Sequence, residues 1–422
     1  MKQTASKAIL MGLASAILLV SCQKEMQTPA KDNPGNTATT ISPPLVPPAL
    51  TAQEGKTVAS SNDFAIRLFS KLRTGQPAQN LFLSPFSISS ALTMAYNGAN
   101  GTTQEAMRQT LGYAHLTDEE INQSFKGLQQ LLMSLDKKVV FTSANAIWYD
   151  QQFELQAPFV QLNKTYFDAT VQGLDFKSAD AKNVMNDWVK EKTRAKIDKI
   201  VEQIRVDQVM FLVNAVYFKA DWRYPFEKGL TRKGTFRKED GNTSRVNFMT
   251  LNNGKYLYYE DAGKKVVDLP YASGQFNMTL IVPQEQNTLS NIALELNSTQ
   301  LATWLSKADT SWQHLCLPKF NFEYKKDLQP VLTQLGMGEA FSDQADLSRM
   351  ATGAAGRLKI SEVRHNTFLD VNEVGTEAAA ATSVGTIAQS YSTPILIDRP
   401  FVFLIREKSS NVILFIGQLM NP

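Results

Sequence analysis

From Thr376 onward every second residue is small and uncharged: Thr376, Ala378, Ala380, Thr382, Val384, Thr386 and Ala388. The alternate positions are Glu377, Ala379, Ala381, Ser383, Gly385 and Ile387, so Glu377 is the one charge between Val374 and Gln389, and no proline interrupts the run. A segment patterned this way can enter between two strands of a sheet without a clash, leaving Glu377 on the solvent face. Alanine and glycine are nevertheless poor strand residues, and Glu377 to Ala381 are good helix formers. Taken alone, the run reads as helix, linker or latent strand. Its flanks favour the strand. Upstream, Leu358 to Val371 is β-rich and partly alternating. Downstream, Pro400 to Arg406 and Asn411 to Gln418 are apolar runs joined by Lys408-Ser409-Ser410, which predicts two buried strands and a short turn.

The N-terminus is patterned differently. Lys2 and Lys7 precede an apolar run from Ala8 to Val20 that is too short for a stable membrane span. It ends in Leu19-Val20-Ser21-Cys22, which resembles a bacterial lipobox. The resemblance implies a lipoprotein signal peptide over 1–21 and lipidation of Cys22. Gln23, by similarity to sorting rules, implies an anchor at the outer membrane, periplasmic or surface-facing. An ordinary signal peptide and a secreted protein is the alternative. Residues 22–56 are rich in Pro, Thr, Ala and Asn, with Pro43-Pro44 and Pro47-Pro48, and predict a disordered tether ahead of a domain over 57–422. With Cys22 lipidated, Cys316 is the remaining thiol, so no disulfide is expected. Between Leu315 and Leu317, it reads as an inert strand residue.

Composition removes several functions. A formal charge of +3 over 422 residues is too weak to indicate nucleic acid or a strongly anionic partner. The three histidines, His115, His314 and His365, form no His-Glu-x-x-His, and there is no Cys-x-x-Cys, Gly-x-Ser-x-Gly or phosphate loop. No metal, cofactor or catalytic constellation is expected, and the chain does not read as an enzyme. His365, on a mostly apolar stretch, reads as a hydrogen-bonded core residue. Ser84-Pro85 reads as a helix N-cap with proline in the first turn. Trp222, after Asp221, is an ordinary core aromatic on this reading.

Five blocks, in order, are similar to the serpin family, the serine-protease-inhibitor fold. They are Asn80-Leu-Phe-Leu-Ser-Pro-Phe-Ser-Ile-Ser-Ser-Ala91, Leu212-Val-Asn-Ala-Val-Tyr-Phe-Lys-Ala-Asp-Trp222, the hinge Glu373-Val-Gly-Thr-Glu-Ala-Ala-Ala-Ala381, Asp398-Arg-Pro-Phe-Val-Phe-Leu-Ile405 and Phe415-Ile-Gly-Gln-Leu-Met-Asn-Pro422. The resemblance covers Thr57 to Pro422. It implies an α+β fold of three β-sheets, including a large mixed one, with eight or nine helices and an exposed reactive-centre loop over about 374–394. Asn186, Trp188 and Thr193 to Ile197 would mark a helix across the large sheet. Ser84, Ser87, Asn214 and His365 would form a polar cluster beneath it, with His365 bonded to Asn214. Trp222 would sit at the top, where the hinge enters.

The resemblance further implies an inhibitor that acts as a suicide substrate. Gly375 would lend hinge freedom, with the segment from Gly375 onward outside the sheet, and Thr376 would be the first side chain swallowed after cleavage. Glu373, Gly375, Thr376, Glu377, Ala378, Ala379, Ala380 and Ala381 match the inhibitory hinge. Counting sixteen positions on from Glu373, or eleven back from Pro400, places the cut at Gln389-Ser390. Ile387 or Ala388 would suit an elastase-like serine protease, Tyr391 a chymotrypsin-like one, and a papain-like cysteine protease is a further partner. The stretch Thr117 to Lys138, where some relatives bind heparin, lacks a basic stripe, so no polyanion partner is expected. A monomer is expected. The rival classes are a non-inhibitory serpin-fold binding protein and a surface hydrolase, and the latter has no legible nucleophile and base.

Overall fold

The computed structural model describes residues 49–352, 358–376 and 394–422. Among them, hydrogen bonding traces two sheets. The six-stranded sheet runs β10 (Phe320–Asp327), β11 (Glu362–Val371), β12 (Gly375–Thr376), β4 (Met210–Asp221), β2 (Val139–Asp150) and β3 (Thr170–Leu174). It is mixed: β11 and β4 pair in parallel, as do β2 and β3, and the other pairs are antiparallel. The second sheet runs β1 (Leu81–Leu83), β15 (Ile413–Leu419), β14 (Phe401–Glu407), β8 (Phe276–Pro283), β7 (Lys264–Pro270), β6 (Thr243–Glu260), β9 (Asp309–Pro318) and β13 (Ile395–Leu396), with β5 (Arg232–Arg237) paired to β6. Three sheets were expected. The ladder is continuous because β6, 18 residues long, pairs along its length with β5, β7 and β9 and so joins the two smaller sheets into one.

Nine α-helices surround the sheets among the described residues. Helix α1 (Ala52–Gly75) starts five residues inside the expected tether. The Thr51 side chain accepts from the Glu54 N–H and the Glu54 carboxylate accepts from the Thr51 N–H, a reciprocal cap that begins the helix there. Helix α2 (Pro85–Tyr96) is buried at every position. The hydroxyls of Ser87, Ser90 and Thr93 are tolerated inside because they find partners, as when Thr93 donates to the Ser89 carbonyl. Helices α3 (Gly101–Leu111), α4 (Asp118–Ser134) and α5 (Ala157–Phe167) follow. Helix α6 (Ala181–Lys192) sets Ala181, Met185 and Val189, one face at a spacing of four, against Trp148, Phe211 and Val213 of the six-stranded sheet. Asn186 accepts from the Ile200 and Val201 N–H groups, and Trp188 donates to Thr170. Thr193 to Ile197 lie just beyond this helix, not in it.

The two sheets meet in an aromatic stack. Phe82 of β1 lies 4.9 Å from Phe415 of β15 at 9°, and Phe415 lies 5.8 Å from Phe218 of β4. A buried ion pair crosses the second sheet: Arg406 meets Asp268 at 2.8 Å, with side-chain exposures of 3 % and 0 %. Arg406 also donates to Thr279 and Asn411, and Asp268 also accepts from Thr279 and Asn277. With its hydrogen bonds met, the pair fixes how β14 lies against β7 and β8. The segment 394–422 is therefore core structure, held independently of the chain that leads into it.

Candidate functional site: a sheet parted by its own hinge

The six-stranded sheet is closed in one half and open in the other. In the closed half β11 and β4 pair directly, from Glu362↔Phe211 to Asn366↔Ala215. In the open half β12 lies between them, Thr376 opposite Val371 on one side and Gly375 and Thr376 opposite Asp221 and Ala220 on the other. Gly375 and Thr376 are buried, with Thr376 2 % exposed. The expectation that the chain leaves the sheet from Gly375 onward is thus corrected: the first two residues of that segment, Gly375 and Thr376, are already inside. Glu377, Ala378, Ala379, Ala380 and Ala381, the cleavage candidates Ile387, Ala388, Gln389, Ser390 and Tyr391, and Cys22 lie outside the described residues.

Gly375 has a steric rather than a conformational reason. A Cβ there would stand 2.1 Å from the Ala220 carbonyl oxygen and 2.6 Å from the Asp221 Cα, whereas its φ is not in the left-handed region. Only glycine lets the hinge approach β4 this closely.

A clasp holds the hinge in place. The Tyr271 hydroxyl and the Thr376 hydroxyl share a hydrogen bond at 2.6 Å. Burial raises the pKa of Tyr271, so the group stays neutral. Its ring stacks on Trp222, with centroids 4.4 Å apart at 9°. Trp222 Nε1 donates to the Asn372 carbonyl at 2.9 Å, and its backbone N–H to the Val374 carbonyl at 2.8 Å. Trp222 is therefore both a core aromatic and a post beside the hinge. Glu373 completes the clasp, accepting from Thr231 at 2.8 Å and meeting Lys319 at 2.9 Å. Burial opposes its charge, but the Lys319 hydrogen bond, aided by backbone and Thr231, outweighs it and holds the carboxyl below its usual range.

Beneath the closed half runs a polar ladder. His365 of β11 is fully buried, and its Nε2 accepts from the Ser84 N–H at 3.1 Å. The neutral ring therefore carries its proton on Nδ1 and donates to Asn214 Oδ1 at 3.2 Å. Asn214 of β4 donates to Asn145 of β2 at 2.8 Å and to the Ser87 carbonyl, and Asn145 donates to Ser90. The Ser87 hydroxyl bonds Ser143 at 2.7 Å. Ser84 does not cap α2 with its side chain, because its hydroxyl is spent on the Leu414 carbonyl at 2.8 Å. Asn145, Ser143 and Ser90 extend the cluster beyond the residues read from sequence. The signal for them is faint: polar side chains at inward positions of the apolar strand Phe141 to Trp148 and of the buried helix.

Both nitrogens of His365 are occupied and burial pushes its pKa down to about 3, so it is not poised as a base for any substrate. Burial also pushes the Cys316 thiol up, leaving it protonated and unreactive. Among the described residues no group of three or more His, Cys, Asp or Glu could hold a metal.

Two outcomes follow from this geometry. Gly375→Ala should evict the hinge, since overpacking against fixed backbone costs about 1–3 kcal/mol. Hydrogen exchange over Asn372 to Thr376 should then rise by about 5- to 150-fold. Unchanged exchange would mean that β12 is not seated as described. His365 predicts an acid sensitivity. Its folded pKa lies below the unfolded value of 6.5, so its contribution is complete above pH 6.5 and is lost as pH falls toward 3. At pH 5 the unfolded chain gains roughly 2 kcal/mol from this proton. The fall in urea midpoint between pH 7.5 and 5 should therefore be smaller in His365→Gln than in the natural protein.

The family model described as Serpin (serine protease inhibitor) matches residues 59–422. The bovine (Bos taurus) leukocyte elastase inhibitor is 35% identical over 379 residues, covering 86% of this chain and 99% of that protein. The native state of a thermophilic serpin, tengpin, superposes with a TM-score of 0.81 at 31% identity, over 92% of this chain and 99% of that one. Human thyroxine-binding globulin bound to thyroxine superposes with a TM-score of 0.81 at 30% identity, over 88% and 100%. A match of that extent, over a sheet whose central seam admits the chain's own hinge, makes this protein a member of the serpin family.

Proposed function

We propose that this serpin is a protease inhibitor of the suicide-substrate type. The observation that carries the reading is the seam: β12 lies between β11 and β4 at one end, and five directly paired positions close the other. The residues that follow Thr376 are small on alternate positions up to Ala388, so each step of the seam that parts can accept the next pair. A protease nucleophile attacks a loop carbonyl, in this reading that of Gln389, and displaces the amine of Ser390 to leave an acyl-enzyme. The freed segment then zips into the seam. With Gly375 and Thr376 already seated, the thirteen residues from Glu377 to Gln389, at about 3.3 Å each, carry the attached enzyme roughly 43 Å.

Distorting the enzyme's oxyanion hole by even one donor costs about 2.7–4 kcal/mol, enough to stall hydrolysis of the acyl bond. Insertion breaks five direct pairs and the His365–Asn214 bond, but each inserted residue gains ladders on both sides. A net dozen or so hydrogen bonds at about 1 kcal/mol each drives the change. The leukocyte elastase inhibitor among the relatives supports an elastase-like serine protease as partner, for which Ile387 or Ala388 would be the residue before the cut; a papain-like cysteine protease is the other candidate. Lipidation at Cys22 and anchoring at the outer membrane belong to the same proposal and rest on Leu19-Val20-Ser21-Cys22.

A second reading has one supporting observation, the likeness to thyroxine-binding globulin, a serpin fold solved with a small ligand. In that reading the scaffold binds and the seam stays shut.

Thr376→Arg separates the two. Burying a guanidinium in the seam costs several kcal/mol; the hinge of the intact variant escapes that cost by withdrawing from the seam, whereas a fully inserted strand cannot, so this variant should be cut by a protease that forms an SDS-stable complex with the natural protein, yet trap almost none of it. Equal complex formation would falsify the trap. The nicked natural protein should also melt roughly 20 °C or more above the intact one, at about 2 °C per kcal/mol, whereas a pure binding scaffold should not. For the anchor, radiolabelled palmitate should enter the chain expressed in a bacterium that processes lipoproteins, and should not enter Cys22→Ala.

A further inference from the structure

Beside the hinge clasp is a cavity of about 340 Å³, within the range of small-molecule sites. Two of its walls are the segments that hold the hinge. One carries Arg223 and Tyr224, directly after Trp222, and the other is the turn through Pro270, Ser273 and Gly274 that contains Tyr271. Arg223 spans the two, its N–H donating to the Pro270 carbonyl at 2.9 Å and its guanidinium to the Ser273 carbonyl. Lys255 of β6 and Lys408 of the β14–β15 turn complete the lining cations. Both lysines are exposed and neither has an ion-pair partner among the described residues. The one carboxylate that lines the cavity, Asp268, is already neutralised by Arg406.

Among the described residues the lining is therefore cationic, with Arg223, Lys255 and Lys408 from three separate parts of the chain and Asp268, already paired, as its one carboxylate. It is also aromatic. Tyr224 lines the cavity and meets Trp312 edge-on, with centroids 5.7 Å apart, and Trp312 is 55 % exposed and directly across the strand pair from Lys255. An exposed indole beside an unpaired ammonium offers a flat apolar surface next to a charge. Two lining residues carry buried polar atoms without a partner among the described residues, the Tyr256 hydroxyl and Asn277 Oδ1. Burial keeps the tyrosine neutral, so it has a proton to donate.

We propose that this cavity binds a small aromatic anion, an aryl phosphate or aryl carboxylate, and that occupancy tightens the clasp on Thr376. The anion is held by Arg223, Lys255 and Lys408, and the ring lies along Tyr224 toward Trp312. Because these cations come from different segments, a bound anion joins Arg223, one residue from Trp222, to β6 and to the β14–β15 turn. A ligand that prefers the assembled walls stabilises whatever the walls hold, here the seated hinge.

The full chain is titrated with phenyl phosphate, followed by tryptophan fluorescence, alongside benzoate, inorganic phosphate and phenol. Saturable binding is expected for phenyl phosphate, with benzoate second, and with inorganic phosphate and phenol each about tenfold weaker or more, since each lacks one half of the ligand. The exposed double variant Lys255→Gln/Lys408→Gln should melt as the natural protein does and bind phenyl phosphate about tenfold more weakly. At saturation, hydrogen exchange over Asn372 to Thr376 should slow several-fold in the natural protein and not in the variant. No saturable binding would mean that the cavity holds only water. Equal binding of inorganic phosphate, or undiminished binding by the double variant, would reduce the site to a diffuse basic surface. Binding without slower exchange would overturn the link to the clasp. No protease enters these measurements, so failure of this site is distinguishable from failure of the trap.

Discussion

The structure depends on one seam, the contact between β11 and β4. Parallel strands cannot be joined by a short turn, and these two come from distant parts of the chain, so nothing covalent nearby keeps them together. What closes the seam is a short run of backbone pairs from Glu362 to Asn366 and the bond from His365 to Asn214. What opens it is chain from the same molecule, present from the start as Gly375 and Thr376. A strand inserted there satisfies both neighbours at once, whereas the closed seam satisfies each of them only against the other. Among the described residues no ladder crosses the seam between Asn366 and Val371 of β11, so the sheet is still able to gain hydrogen bonds.

Placing polar side chains under such a seam makes sense physically. Interlocked leucines would have to pass over one another as the strands part, which a close-packed interior resists. Hydrogen bonds among Ser84, Ser87, Ser143, Asn145, Asn214 and His365 can be exchanged one at a time, each for a new partner. The cluster must nonetheless stay neutral, and His365 does so because burial, more than any neighbouring charge, disfavours its protonated form.

Much of this was legible in the chain, for identifiable reasons. The buried strands β14 and β15 could be read because both their faces are apolar, and β11 because its residues are β-rich up to the hinge. Family resemblance supplied the pairing of His365 with Asn214 and the position of Trp222. What local pattern could not supply was contact across sequence. The need for glycine at 375 lies in the Ala220 carbonyl, 155 positions away. The partner of the Ser84 hydroxyl is the Leu414 carbonyl, so a good N-cap residue is diverted from its helix by tertiary structure. Asn145 and Ser143 join the cluster only through partners on α2 and β4 that are distant in sequence. The early start of α1 was readable from Thr51 and Glu54, but the proline-rich stretch before it drew the boundary too late.

The pairing of β1 with β15 has a consequence for how the chain acquires its shape. Leu83 has Ile416 as its register partner, and among the described residues β15 is the only strand paired with β1. While the polypeptide is being made, Leu81 to Leu83 lack this strand partner until residues 413–419 have emerged, although Phe322 and Phe403 can meet the Phe82 ring sooner than Phe415. This one pairing must therefore wait for nearly the last residues to be made. Contacts so remote in sequence form slowly, which makes the pairing of β1 with β15 a late step in folding.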